Sequence, residues 1–193
     1  MIPNQLKKFF QSMSWTNTPH HINPGKTVIR GEWQSRILDV PEPGCEFGRP
    51  LTDWKFFPNG VTYVGVNYLL NTGFRGTTQS PSWFAGLIAD GTVTLSINDT
   101  SASHSGWTEL TTYSSTPRLA WSPGAAALGS LTTTAITFTM NADSNVRGAF
   151  LASSSTKNST TDILYCTAIE SAPRAILNGQ QYQLIYTVNL LVS

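Results

Sequence analysis

The sequence predicts a mainly β protein, an antiparallel β-sandwich or jelly roll with one short helix and an extended N-terminal arm. Three observations predict it. The second half of the chain is a series of short apolar runs split by turn residues, the pattern of a sandwich or barrel. Tyr182, Leu184, Tyr186 and Val188 alternate with Gln183, Ile185, Thr187 and Asn189, the period of a strand. Charges are uneven: residues 1–60 hold 12 of the 23 and residues 61–193 hold 11, which sets the first part apart. The division is an arm over 1–25 and a β-sandwich domain over 26–193.

In the arm, Leu6, Phe9, Phe10 and Met13 follow i, i+3, i+4, i+7 spacing, one apolar stripe of a short helix. Lys7, Lys8 and Gln11 fall on the other side. A helix of two to three turns is marginal alone, so this stripe must dock on its own domain or on a partner. Trp15 to Gly25, with Pro19 and Pro24, reads as an extended linker.

Strand signals follow. Thr27 to Val40 alternates loosely, with Val28, Trp33, Ile37 and Val40 as candidate core residues. Pro41 to Pro50 is a loop, because three prolines and two glycines break any ladder. Trp54, Phe56 and Phe57 restart an apolar stretch, and Pro58-Asn59-Gly60 signals a turn. Val61 to Phe74 reads as the helix, with Val61, Val64, Tyr68, Leu69 and Phe74 on one face and Gly73 as its stop. Ser82–Ala89 and Thr92–Ile97 read as strands. So do Thr111–Tyr113, Leu119–Trp121, Leu131–Met140, Val146–Ser153, Ile163–Ile169 and Tyr182–Leu191.

Composition narrows the function. Charged residues are 12%, about half the ~25% of typical soluble domains. Polarity rests instead on 20 Ser and 25 Thr. A net charge of +1 argues against general nucleic-acid binding, which needs clustered Lys and Arg on phosphates. No apolar run approaches the roughly 20 residues of a membrane span, and no secretion signal is evident. Cys45 and Cys166 are therefore expected as free thiols, one in a loop and one buried in a strand. A neutral Ser/Thr-rich surface suits a protein packed against neighbours, and also a secreted binding module.

Residues for chemistry are sparse. His20 and His21 lie in the linker, and neighbours in an extended segment point opposite ways, which does not build a metal site. His104 sits in a Ser/Gly loop. No Gly-x-Ser-x-Gly elbow marks a nucleophile, and Gly73-Phe74-Arg75-Gly76 lacks the lysine of a phosphate loop. Glu109, Asp90 and Asp99 do not suggest a glycosidase pair. Asn98-Asp99-Thr100 and Asn158-Ser159-Thr160 match glycosylation sequons, which chance explains in so Thr-rich a chain. Arg118 and Arg147 lie beside apolar strand residues, where an arginine pairs with a carboxylate or stacks on a ring, or else packs only its stem. Glu109 and Trp121 are partners for such a residue. Trp107 and Trp121 read as core anchors, or as an exposed platform for sugar stacking.

Several motifs then line up. They are VGVNYLLNTGFRG, SWFAGLI, SHSGWTELTTYSSTPRLAWSPG, and VRGAFLASSSTKNSTTDILYCTAIESAPRAILNGQQYQLIYTV. Their key residues include Phe74, Arg75, Trp83, Trp107, Glu109, Tyr113, Arg118, Trp121 and Lys157. Over roughly residues 60–190 this pattern resembles a recurrent kind of tailed-bacteriophage virion structural protein. Asn158-Ser159-Thr160 stands where that pattern has a Gly-rich turn, and Gln180 where an acid usually follows glycine. The resemblance implies a non-enzymatic component without cofactor, a capsid decoration or cement protein. Its partners would be the major capsid protein and two further copies of itself in a homotrimer, with no nucleic acid and no membrane. It would sit in the virion, assembled in the host cytoplasm. Leu6, Phe9, Phe10 and Met13 form the candidate partner-binding arm. A neck, tail or fibre-base protein is the alternative, and a carbohydrate-binding β-sandwich module a further one.

Overall fold

The computed structural model describes residues 28–191. The arm, with Leu6, Phe9, Phe10 and Met13, lies outside the described residues, as do His20 and His21. The fold is mainly β and antiparallel with one helix, the class the sequence predicts.

The first strand, β1 (Val28–Leu38), pairs along its whole length with the last, β10 (Gln181–Leu191), from Val28↔Leu191 to Leu38↔Gln181. Their alternation puts Trp33, Tyr182, Leu184 and Tyr186 on the inner face, all fully buried. β2 (Lys55–Val61) follows on the other side of β1. Its Phe57 stands opposite Trp33, and Trp33 stacks between Phe57 and Tyr186 at centroid distances of 6.4 and 4.4 Å.

Residues read as a turn lie inside β2. Through Pro58 the strand pairs with β1, and from Asn59 to Val61 it pairs with β9 (Leu164–Ile176). Pro58-Asn59-Gly60 therefore marks a bend of the sheet, not a reversal of the chain. Beyond β9 come β8 (Ser144–Ala152) and β3 (Trp83–Ala89), with β4 (Glu109–Leu110) and β5 (Leu119–Trp121) both on the far edge of β3. At the other edge, β6 (Ser130–Thr132) and β7 (Ile136–Thr139) both pair with β10, so the predicted run 131–140 is two strands. The sheet curls until its two ends face each other. Trp121 of β5 donates from Nε1 to the Tyr186 carbonyl of β10 at 3.3 Å.

The helix, α1 (Tyr63–Arg75), starts after Thr62. The Thr62 hydroxyl accepts from Gly65 N–H at 3.0 Å and donates to the Leu164 carbonyl at 2.5 Å, capping the helix and pinning it to β9. The helix runs through Gly73 and ends at Gly76. There φ is +67° and the N–H reaches the Asn71 carbonyl, the left-handed cap that glycine takes at least cost. Gly65 and Val66 are its buried residues. An added Cβ on Gly65 would collide with the Tyr165 backbone, so the closest contact is made by a residue that apolar counting overlooks. Phe74, placed on the inner face by spacing, is 86% exposed, and Val40, read as core, is 50% exposed.

Thr92–Ile97 is not a strand. Its backbone bonds go to no strand: Thr94 N–H donates to the Gly106 carbonyl, and the Ile97 carbonyl accepts from Tyr63 N–H at the start of α1. Its alternating Val93 and Leu95 pack instead on a second small core of Ile88, Trp107, Phe150, Ala152 and Leu164. Of Thr111–Tyr113 only Tyr113 pairs, in a single bridge to Met140.

Burial pushes the phenols of Tyr113, Tyr165, Tyr182 and Tyr186 above their usual value, and the Cys166 thiol up to about 11. An unfolded chain releases those protons from about pH 8.5 (thiol) and about pH 10 (phenols). Where the unfolded chain binds fewer protons than the fold, stability falls as pH rises. It is therefore full below about pH 8.5 and is lost progressively as pH climbs through the folded values. In thermal melts across alkaline pH, the midpoint should drop above about pH 9. Four of the six tyrosines should show tyrosinate absorbance only with unfolding.

Candidate functional site

Register brings Glu109 and Arg118 together. β4 and β5 pair with neighbouring stretches of β3, Leu110 opposite Leu87 and Leu119 opposite Ala85. The intervening segment loops out and returns, leaving Glu109 and Arg118 side by side. Arg118 donates from Nε and Nη2 to the two Glu109 oxygens, both at 2.9 Å, the fork-on-fork geometry that suits guanidinium and carboxylate. Its Nη1 donates to Asp162 Oδ2 at 2.5 Å and to the Ser154 carbonyl at 3.0 Å. The ring stacked on Arg118 is Phe150, at 4.9 Å, and not the expected Trp121.

This hub fastens the β8–β9 connection, residues 153–163. Arg118 N–H donates to the Ser155 carbonyl at 2.7 Å, and Asn158 N–H to Glu109 Oε2 at 2.6 Å. Asn158 has φ +55°, so it supplies the left-handed turn that glycine would otherwise provide. Lys157 reaches back to the carbonyls of Thr111 and Tyr113 at 3.0 and 3.2 Å and lies 3.5 Å over the Tyr113 ring. Burial lowers the Lys157 ammonium, partly offset by Glu109. Burial alone would lower Arg118 too, but the hydrogen bonds and charge of Glu109, then of Asp162, outweigh it and hold the guanidinium above its usual value.

A second hub spans the two halves of the curled sheet, and of its members the sequence pointed only to Arg147. Glu170 of β9 accepts from Ser35 of β1 at 2.8 Å and from the Tyr182 hydroxyl of β10. Arg174 donates to the same carboxylate at 3.2 Å and to Thr52 at 2.9 Å, and Arg147 donates to the Glu170 carbonyl at 2.5 Å. Glu170 and Arg174 meet because β9 bulges here. Gly148 pairs with Ile169 but Val146 pairs with Arg174, so the intervening residues arch out. Pro173 inside an otherwise strand-like run was the available signal, since proline within a sheet marks an edge or a bulge.

The other predicted residues are mostly internal. Trp107 is buried and donates from Nε1 to Asp99 Oδ2 at 3.0 Å, with the His104 ring stacked on it at 4.0 Å. Trp121 is buried in the main core, and Trp83, its register partner, meets Tyr68 and Tyr165 edge-on. Neither Trp107 nor Trp121 presents a ring face as a sugar platform. Cys166 is a buried free thiol and Cys45 an exposed one. Among the described residues no three His, Cys, Asp or Glu side chains gather as for a metal.

Two of the apolar residues that face outward are at the end of α1. Leu70 and Phe74, four apart on the helix, are 45% and 86% exposed. Arg75 beside them donates to Asn71 Oδ1 at 3.2 Å. No protein-family model, no curated protein and no solved structure matches the chain.

Chemically, the first hub is a fastener. Its carboxylate-bearing side chains, 3% and 1% exposed, are both engaged by Arg118, which is itself 3% exposed. Arg118→Met leaves two buried carboxylates without their counter-charge and should cost about 3–5 kcal/mol in urea denaturation. The triple variant R118M/E109Q/D162N should restore part of that loss. A cost below ~1 kcal/mol for the single variant, the value of a surface pair, would contradict the fastener role.

Proposed function

We propose that this protein is a non-enzymatic virion structural protein of a tailed bacteriophage, a capsid decoration protein that binds where major capsid subunits meet and stabilises the shell. The observation that carries the reading is where the chemistry-bearing residues are. Glu109, Arg118 and Lys157, part of the motif that resembles phage virion proteins, hold one loop to the sheet and offer no free acid, base or nucleophile. What the domain turns outward includes large apolar side chains, Leu128, Phe74 and Phe56 the most exposed among them. Fully burying such a side chain against a partner is worth about 1.5–3 kcal/mol. That suits attachment repeated many times over a shell, where avidity multiplies weak contacts.

The arm adds a second attachment. Its stripe of Leu6, Phe9, Phe10 and Met13 fits the mode in which an amphipathic helix lies in a groove of a neighbouring subunit. A homotrimer would give three arms and three apolar helix ends on one seat.

The test is copy number, measured by calibrated mass spectrometry of purified particles against the major shell protein. Hundreds of copies are expected for decoration of the whole shell. A handful to a few tens would replace decoration with the neck, tail or fibre-base role. Absence from particles would overturn the virion reading. On particles, deleting Met1–Gly25 should leave a folded domain with sharply reduced occupancy. F74S should do likewise without lowering the melting temperature, because Phe74 is 86% exposed in the free domain.

A further inference from the structure

The core is open at one end. Along β10 the inward-facing row begins with Tyr182, Leu184 and Tyr186, each 0% exposed. It continues with Val188, only partly buried, and Leu190, 46% exposed. The neighbours repeat the trend. Ile29 of β1, opposite Leu190, and Leu131 of β6, opposite Val188, are also only partly covered. The inner face of the sheet thus outruns the residues that cover it.

A hairpin tip stands at the same opening. Ala127 and Ser130 exchange both backbone hydrogen bonds around Leu128-Gly129, with φ of +50° and +75°. Positive φ at both turn residues is the hairpin pattern that Asn-Gly and Gly-Gly adopt readily. Leucine has no such ease there. Leu128 is fully exposed, and Leu190 N–H donates to the Gly129 carbonyl at 2.7 Å, which sets the tip against the end of β10. A bulky apolar residue held in a left-handed turn and in full contact with water is one whose cover is missing.

The chain enters the domain at this place. Val28 opens β1, and its register partner is Leu191. Two strand spacings, about 10 Å, separate β1 from β6 across β10. Residues 14–27 join the apolar stripe to Val28 and span roughly 48 Å when extended, so reach does not restrict it. A segment tethered beside a site meets it at an effective concentration near the millimolar range, which favours its own chain over another.

We propose that in the free protein Leu6, Phe9, Phe10 and Met13 close the open end of the core of their own chain, packing on Leu128, Val188 and Leu190. The stripe is the apolar segment the opening lacks. Lys7 and Lys8 on its other side then face water. This inference concerns the chain off the particle and does not depend on the virion reading.

The test places the photo-crosslinking residue p-benzoylphenylalanine at position 10 of the full chain, free in solution. Isotope-labelled and unlabelled chains are mixed to separate links within a chain from links between chains. Links should fall on residues 127–131 and 188–191 of the same chain. The L128S/L190S variant should reduce their yield about fivefold or more, as loss of about 1 kcal/mol or more of contact would. In a chain lacking residues 1–25 the same double variant should retain the fold, read by the near-ultraviolet circular dichroism of the domain. Links concentrated elsewhere on the domain, links only between chains, or no links at all would each overturn the proposal.

Discussion

Everything in this fold follows from one strand changing partners. β2 pairs with β1 through Pro58 and with β9 from Asn59 onward. With the partner changed, the strands on either side no longer lie in one plane, and the sheet closes over its own inner face. Only then can Tyr186, stacked on Trp33 in one half, meet Trp121 from the other. The bend is locked from inside. Asn59 Nδ2 donates to the Tyr186 hydroxyl at 2.8 Å, and the Glu170 hub ties β9 to β1 and β10 across the same core.

The scarcity of charge acquires a physical meaning from this arrangement. Of the 11 charged residues beyond position 60, Glu109, Arg118, Lys157 and Asp162 belong to one hub and Arg147, Glu170 and Arg174 to the other, seven in all. A buried charge is tolerated only when paired and hydrogen-bonded. These charges are therefore constraints on geometry before they are stabilising contacts, and a buried pair is often no better than apolar packing energetically. What remains outside is a Ser/Thr-rich surface with isolated apolar side chains, suited to lying against neighbours.

The strands with period-two alternation were legible because water leaves one face of them. Trp33–Ile37 follows that rule directly, and Tyr182–Tyr186 follows it except at Gln183, which is buried on the opposite face. The Glu109–Arg118 pair was legible too, since an arginine between apolar strand residues has few ways to be satisfied. Contacts made by what a residue lacks were not legible. Gly65 packs closest to β9 because it has no side chain, and Pro58 bends the sheet where its composition suggested a reversal. Thr92–Ile97 has a strand's alternation but no partner edge, and its apolar residues serve the Trp107 core from a loop. The Glu170 hub arises from a register shift, of which Pro173 is the one local trace and which does not say which side chains meet.

If β2 is the hinge of the whole architecture, the two halves of the sheet cannot open separately. Native-state hydrogen exchange reads this directly, because amides in one cooperative unit share one opening free energy. The account predicts that protected amides of β1 and β10 on one side, and of β8 and β9 on the other, exchange with a single free energy equal to that of global unfolding, and that those of β2 exchange with them. Two classes of protection divided between Pro58 and Asn59, with one half exchanging while the other stays closed, would contradict it.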